Sequence, residues 1–210
     1  MRFNIEVAGP QHIKYAEEIC KEMEDSAKVR GTGIAKRSPV YIREKMNQGK
    51  AVIAIDENGN FAGFSYIESW SHEKFVANSG LIVRPEYRKS GLARRIKRKI
   101  FDLSRKKFPQ AKIFGITTSL AVMRINSELG YKPVTFSELT QDDTYWDGCK
   151  ACCNYDILTR NNCRMCLCTG MLYDPDVKNG AFDFVKKMNI LDRFRRIFTV
   201  SSSSKPKITI

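Results

Sequence analysis

The feature that most constrains this 210-residue chain is the junction at residues 81–95. Leu81-Ile82-Val83 reads as the end of a strand, and Arg88-Lys89-Ser90-Gly91-Leu92-Ala93-Arg94-Arg95 opens a helix. A strand handed to a helix through a small-residue turn implies a fold in which helices cover a sheet. The junction also has chemistry of its own. The first N–H groups of a helix have no partner within it and carry partial positive charge, so phosphate is favoured there. Gly91 and Ala93 keep bulk away from that backbone, while Arg88, Lys89, Arg94 and Arg95 add charge, and guanidinium can grip phosphate at two points. Taken alone, the segment is equally well an ordinary basic helix start.

The surrounding pattern supplies context. Phe3–Val7 reads as a strand, and Gln11–Glu24 as a helix with Ile13, Ala16, Ile19, Cys20 and Met23 on one face. Arg30-Gly31-Thr32-Gly33 reads as a loop, and Ser38-Pro39 as the cap and first residue of a helix ending near Asn47. Ala51–Ile55 and Phe61–Trp70 form a hairpin through Asn58-Gly59, and Phe75–Val83 is a further strand, with Gly80 marking a bulge or a close backbone approach. Gly91–Phe108 is a helix, Lys112–Thr117 a strand, Leu120–Leu129 a helix closed by Gly130, and Tyr131–Phe136 a strand. The expected fold class is α/β (α+β), a mixed central sheet flanked by helices.

Charge narrows the partners. The chain carries a net +13, and residues 84–112 hold twelve Lys/Arg against Glu86 and Asp102. Such a field suits a nucleotide cofactor, a nucleic acid or an acidic substrate, and as a plainer alternative a solvated helix face. Glu6 arrives too early for a signal peptide, and the longest apolar stretch, Ala51–Ile55, is too short to span a bilayer. The expectation is therefore a cytoplasmic protein with no membrane partner.

In this setting the junction resembles that of the GNAT superfamily of N-acetyltransferases. Arg88-Lys89-Ser90-Gly91-Leu92-Ala93 fits the family's Gln/Arg-x-x-Gly-x-Gly/Ala motif, Val83-Arg84-Pro85-Glu86-Tyr87 its lead-in, and Leu129-Gly130-Tyr131 its Leu-Gly-aromatic ending. The resemblance covers about residues 3–136. It implies acetyl-CoA or another acyl-CoA, with the pyrophosphate on the backbone of Lys89 to Arg94 and the pantetheine arm along Leu81, Ile82 and Val83. The cofactor-binding set is thus Leu81, Ile82, Val83, Arg88, Lys89, Ser90, Gly91, Leu92, Ala93 and Arg94. Direct attack by an amine on the thioester follows, with proximity carrying much of the catalysis and a backbone N–H of the strand holding the oxyanion.

A base must deprotonate the attacking ammonium. By position the candidates are Glu68, His72 and Glu73, each equally well an exposed turn residue. Many members of the family place a tyrosine four residues before the glycine of Leu-Gly-aromatic to protonate the leaving thiolate; here that position is Asn126. Asn126 can donate a hydrogen bond, water can supply the proton, or the acid comes from elsewhere. The expected acceptor is a small-molecule primary amine, such as an amino acid. Lys36 and Arg37 are candidates to hold a substrate carboxylate, with a glutamate-type acceptor and succinyl-CoA as an alternative. The rival class is a non-catalytic CoA-sensing or nucleic-acid-binding module, though few aromatics interleave with the basic helix. A homodimer is an open option.

Six of seven cysteines fall between Cys149 and Cys168. Two Cys-x-x-Cys pairs joined by a short segment have the spacing of tetrahedral structural zinc. Cys149 and Cys152 form one pair; the second is Cys163 with Cys166, or Cys166 with Cys168, the latter preferred if Met165–Thr169 is a strand. The plainer reading is a set of buried thiols acting as small hydrophobes. The expected domains are residues 1–136, a Cys-rich extension 137–178 packed on them, and 179–210, a basic amphipathic helix over Phe182–Phe198 with a frayed tail from Ser201.

Overall fold

The computed structural model describes residues 2–30 and 36–177. The glycine loop at 31–33, the helix expected over Phe182–Phe198 and the tail lie outside them. Residues Met1–Asp176 form one compact unit and Val177–Ile210 a second, of which only Val177 is described.

Seven strands make one sheet in the order β1-β2-β3-β4-β5-β7-β6. β1 (Phe3–Val7), β2 (Ala51–Asp56), β3 (Phe61–Trp70) and β4 (Phe75–Val83) pair antiparallel in sequence. The β2–β3 turn is tied by Asp56, whose carboxylate accepts from the N–H groups of Asn58 and Asn60 at 2.9 and 2.8 Å. α1 (Ala16–Arg30) and α2 (Pro39–Asn47) cover one face, and α3 (Leu92–Lys107) with α4 (Leu120–Glu128) the other. Ser38 caps α2 by accepting from Tyr41 N–H, and Ser119 caps α4 by accepting from Val122 N–H. Helix boundaries thus follow the side chains able to satisfy first-turn donors.

Three local expectations shift. The segment 10–15 is a 3-10 turn and α1 begins only at Ala16; Ile13, expected inside, is exposed, and His12 is buried instead. The last expected strand shortens to β6 (Lys132–Val134), because Pro133 has no N–H to extend a ladder. The Cys-rich extension is not a separate layer. Its β7 (Thr169–Tyr173) lies between β5 (Lys112–Thr117) and β6, pairing antiparallel with both. Met171 and Leu172 are thereby buried, each by about 1.5–3 kcal/mol of transfer free energy. The sheet therefore crosses the boundary expected at residue 136, since β5 needs a second partner on the side away from β4.

The feature that positions the site is a failure of pairing. β4 and β5 run parallel and pair only over Phe75–Ala77 with Lys112–Phe114; beyond that the strands diverge. On its other edge β4 carries a bulge, where the register against β3 shifts between Phe64 and Tyr66. Gly80 sits at the bulge with φ 62°, and a Cβ there would lie 2.4 Å from the Tyr66 ring. Only glycine meets both demands. Among the described residues no helix is long and apolar enough to cross a membrane.

Candidate active site

The start of α3 is built to receive an anion. Gly91 is its N-cap in the left-handed region, φ 78°, with no side chain to accept from the first turn. Arg95 N–H reaches the Gly91 carbonyl at 3.3 Å, and no backbone carbonyl among the described residues takes the N–H of Leu92, Ala93 or Arg94. A Cβ placed on Gly91 would meet nothing within 4 Å, so the approach is clear. A pyrophosphate fits this cradle.

The basic side chains behave differently from expectation. Arg88 turns back, donating to the Val83 carbonyl at 3.0 Å and to Ser26 Oγ at 3.1 Å, with Glu22 at 3.4 Å. Arg94 forms a two-point pair with Glu128 at 2.7 and 2.9 Å. Arg95 donates to the Phe3 carbonyl, and Ser90 Oγ to the Tyr87 carbonyl at 2.6 Å. Arg88 and Arg94 thus brace the loop against α1 and α4 rather than presenting free cations, because carboxylates on those helices lie within reach. Lys89, exposed with φ 64°, remains at the mouth. What this turn offers an anion is backbone N–H.

The diverging strands open a cavity of about 450 Å³. Asn78, Ser79, Gly80 and Leu81 line it from β4, Gly115 to Thr117 from β5, and Val122 and Asn126 from α4. Of the strand residues expected to meet the pantetheine arm, only Leu81 lines the cavity. Ile82 and Val83 are buried in the two cores on either side of the sheet, so only their backbone can serve.

The base candidates separate clearly. Glu68 lies on β3 opposite Ala77, is buried, and lines the cavity. Its Oε1 accepts from Tyr41 Oη and from Arg37 at 3.2 Å, and Oε2 takes no hydrogen bond among the described residues. Arg37 also donates to Tyr66 Oη at 2.9 Å. Burial, then the adjacent Glu68 carboxylate, holds the hydroxyls of Tyr41 and Tyr66 well above the usual phenol range, so both stay protonated. His72 and Glu73 are exposed in the β3–β4 turn with φ 55° and 65°; neither lines the cavity, because the turn projects past the end of the sheet. Arg37 is likewise no free carboxylate receptor, being spent on Glu68 and Tyr66, and Lys36 is exposed outside the cavity.

Asn126 reaches the cavity, 2% exposed, with its Oδ1 buried and without a hydrogen-bond partner among the described residues. On the wall of the same cavity the structure places a residue that the motifs miss. Lys97, on the buried face of α3, is 2% exposed, lines the same cavity, and lies 5.3 Å from the centre of the Tyr131 ring. Burial alone pushes its ammonium down to about 7. In a helix this basic, Lys97 reads as one more solvent-facing cation. The available signal is angular: at helical spacing it falls between Ser104 and Phe101, inside the apolar arc.

The cysteines gather on the far wall. Cys149, Cys152, Cys166 and Cys168 all line the cavity, and no disulfide links any of the seven. Among the described residues, however, no three His, Cys, Asp or Glu side chains converge as a metal site. The geometry gives the reason. β7 starts at Thr169, so Cys166 and Cys168 do not share a strand face. Cys152 Sγ accepts from Asn154 N–H at 3.5 Å, and Cys166 faces the Asn154 carbonyl at 3.9 Å. Burial, then neighbouring thiols, raises Cys149 to about 11 and Cys168 to about 12. Cys149, Cys163, Cys166 and Cys168 pack beside Trp146, Leu158 and Phe136, and the described residues do not gather the expected zinc ligand set of Cys149, Cys152, Cys166 and Cys168.

A family model described as the acetyltransferase (GNAT) family matches residues 16–121, half of the chain. No curated protein matches the sequence. The fold is similar to N-acetylglutamate synthase from Neisseria gonorrhoeae complexed with coenzyme A and N-acetyl-glutamate, at TM-score 0.58 and 16% identity, over 83% of this chain and 35% of that one. The present chain therefore spans about a third of that enzyme. A Mycobacterium tuberculosis protein in complex with CoA aligns at TM-score 0.58 and 14% identity over 81% and 98% of the two chains. A phosphinothricin acetyltransferase from Sinorhizobium meliloti in complex with acetyl-CoA aligns at 0.56 and 12% over 83% and 89%.

Proposed function

Because the chain belongs to the GNAT family of acetyltransferases, we propose that it moves an acetyl group from acetyl-CoA to the primary amine of a small molecule. The observation that carries this reading is the cavity opened where β4 and β5 diverge, with the buried carboxylate of Glu68 on its wall, in a fold whose α3 starts uncapped soon after β4. The donor supplies an activated thioester. The chain's own residues do the rest. The free N–H groups of Leu92 to Arg94 hold the pyrophosphate, and the backbone from Gly80 to Val83 runs beside the arm. Glu68, held by Arg37 and Tyr41, takes a proton from the incoming ammonium. Holding both reactants in one cavity supplies much of the rate.

The cavity also informs the acceptor. Among the described residues Glu68 is the one carboxylate on its wall, and the aromatic rings of Tyr41, Tyr66, Trp70 and Tyr145 line the same cavity, which favours a cationic amine. An acidic amino acid would need Arg37, and that guanidinium is already committed. The glutamate-type acceptor with succinyl-CoA is therefore the less supported alternative. Reduced thiols throughout accord with action in the cytoplasm.

The test is thiol release from acetyl-CoA and succinyl-CoA across amino acids, polyamines, aromatic amines and lysine peptides. Acceptor-dependent release with acetyl-CoA is the expected result and identifies the acceptor class. Tight CoA binding without release on any acceptor overturns transfer in favour of a sensing role.

A further inference from the structure

The family tyrosine that would protonate the departing sulfur is replaced by Asn126, and an amide cannot donate a proton to a thiolate and recover it near neutral pH. The cavity offers few other proton donors. Tyr131 Oη is committed to Asn78 Oδ1 at 3.0 Å, and Asn78 Nδ2 to Ser104 Oγ at 2.7 Å. Tyr41 donates to Glu68, and burial holds the hydroxyls of Tyr66 and Tyr145 well above the usual phenol range. The thiols of Cys149, Cys152, Cys166 and Cys168 and the hydroxyl of Tyr155 belong to the far wall, built from residues 136–168, and burial makes Cys149 and Cys168 weaker acids still. Lys97 stands apart from that wall, on α3.

Its surroundings point to a missing negative partner. Among the described residues no carboxylate pairs with Lys97. The Tyr131 ring lies over it; Tyr131 is in turn linked to Asn78 on β4 and, through Asn78, to Ser104 on α3, with Tyr173 on β7 behind it, and Asn126 on α4 lines the same cavity. Burial keeps Tyr131 protonated. Arg94, the nearest cation on the preceding turn of α3, is paired outward with Glu128. A buried ammonium without a counter-ion is costly, and so is the Oδ1 of Asn126, which lines the same cavity and has no hydrogen-bond partner among the described residues. Both line the cavity that opens where β4 and β5 diverge.

We propose that Lys97 is the catalytic acid of this enzyme, donating its proton to the thiolate that leaves when the acyl group is transferred. The inference rests on the acyltransferase reading above. In the step, the acceptor nitrogen bonds to the acyl carbon and the carbon–sulfur bond breaks. Sulfur departs with the electron pair and takes a proton from the Lys97 ammonium, giving a free thiol and a neutral amine. The acceptor's protons leave through Glu68 to solvent, and Lys97 recovers a proton from water as products depart. An ammonium held near neutral pH is matched to both halves of that cycle.

The experiment uses the full chain and reads two quantities. The first is independent of turnover: ultraviolet absorbance of the thiolate of bound CoA, titrated with pH in wild type, Lys97→Met and Lys97→Arg, each first checked by thermal melting. Wild type is expected to ionise bound CoA at lower pH than Lys97→Met, because a cation beside sulfur stabilises the thiolate. The second is kcat against pH on the best acceptor. Lys97→Met is expected to lose at least tenfold in kcat with little change in KM for acetyl-CoA, and to lose the wild-type fall in rate as pH rises through neutrality. Lys97→Arg keeps the charge but cannot give up a proton, so it should retain the thiolate shift without recovering the rate. Equal thiol ionisation in wild type and Lys97→Met overturns the proposal, as does full rescue by arginine. If wild type shifts the thiol but acylates no amine, Lys97 stands beside the sulfur and the transferase reading falls instead.

Discussion

At the scale of single residues, the site depends on two buried ionisable side chains with opposite surroundings. Glu68 has donors from Tyr41 and Arg37; Lys97 has only an aromatic face. Glu68→Gln keeps the shape and removes the basic oxygen, so acceptor-dependent kcat/KM should fall about 100-fold, with CoA affinity unchanged by calorimetry. Lys97 also has a consequence for stability. Its pKa is about 7 in the fold, against 10.5 for an ordinary lysine, so the unfolded chain binds the proton more tightly. The lysine therefore costs stability below pH 7, and the cost disappears as pH rises from 7 towards 10.5. Lys97→Met should raise the melting temperature most at pH 6 and scarcely at pH 10, with a ceiling of about 5 kcal/mol. A gain in stability joined to a loss of rate is the usual mark of a residue retained for function.

At the scale of elements, the α3 start and the β4 bulge each depend on one glycine. Gly91→Ala places a side chain in the left-handed region at a cost of about 1–2 kcal/mol, into space that is otherwise open. Gly91→Glu adds negative charge where the pyrophosphate would rest. Calorimetry should show CoA binding modestly weakened by alanine and lost with glutamate, while circular dichroism shows both folded. Gly80→Ala combines the same backbone penalty with a Cβ 2.4 Å from the Tyr66 ring; denaturant melts should show a loss of at least 2 kcal/mol. Both glycines stand out in the amino-acid string, one before a basic helix and one interrupting an apolar strand, because positive φ admits few other residues. The fates of Arg88 and Arg94 do not stand out. Local charge suggests a phosphate clamp, and only the approach of Glu22, Ser26 and Glu128 from distant segments turns those guanidiniums away.

At the scale of the whole molecule, the segment after residue 136 is part of the architecture. β7 fills the sheet between β5 and β6, and residues from Phe136 to Cys168 form the far wall of the cavity. A chain ending at Cys168 loses that strand and leaves two strand edges unpaired, so it should express as an aggregating, poorly folded product by size exclusion and circular dichroism. The thiol cluster belongs to this level too. Its spacing in sequence suits a metal, but the turn between α5 (Asp143–Asp147) and α6 (Tyr155–Arg160) gives Cys152 and Cys166 backbone partners at Asn154.

What the sequence determined by itself is local. Hydrophobic period, capping serines and glycines at positive φ placed the strands, the helix starts and the anion-binding turn, because each depends on residues within a few positions of one another. What only the tertiary structure decided is which distant groups meet. Glu68 and not Glu73 faces the cavity, Arg37 serves Glu68, Lys97 lies inside, and β7 inserts beside β5. Those outcomes follow from packing two faces of a twisted sheet and from the divergence of β4 from β5, and no stretch of neighbouring residues encodes them.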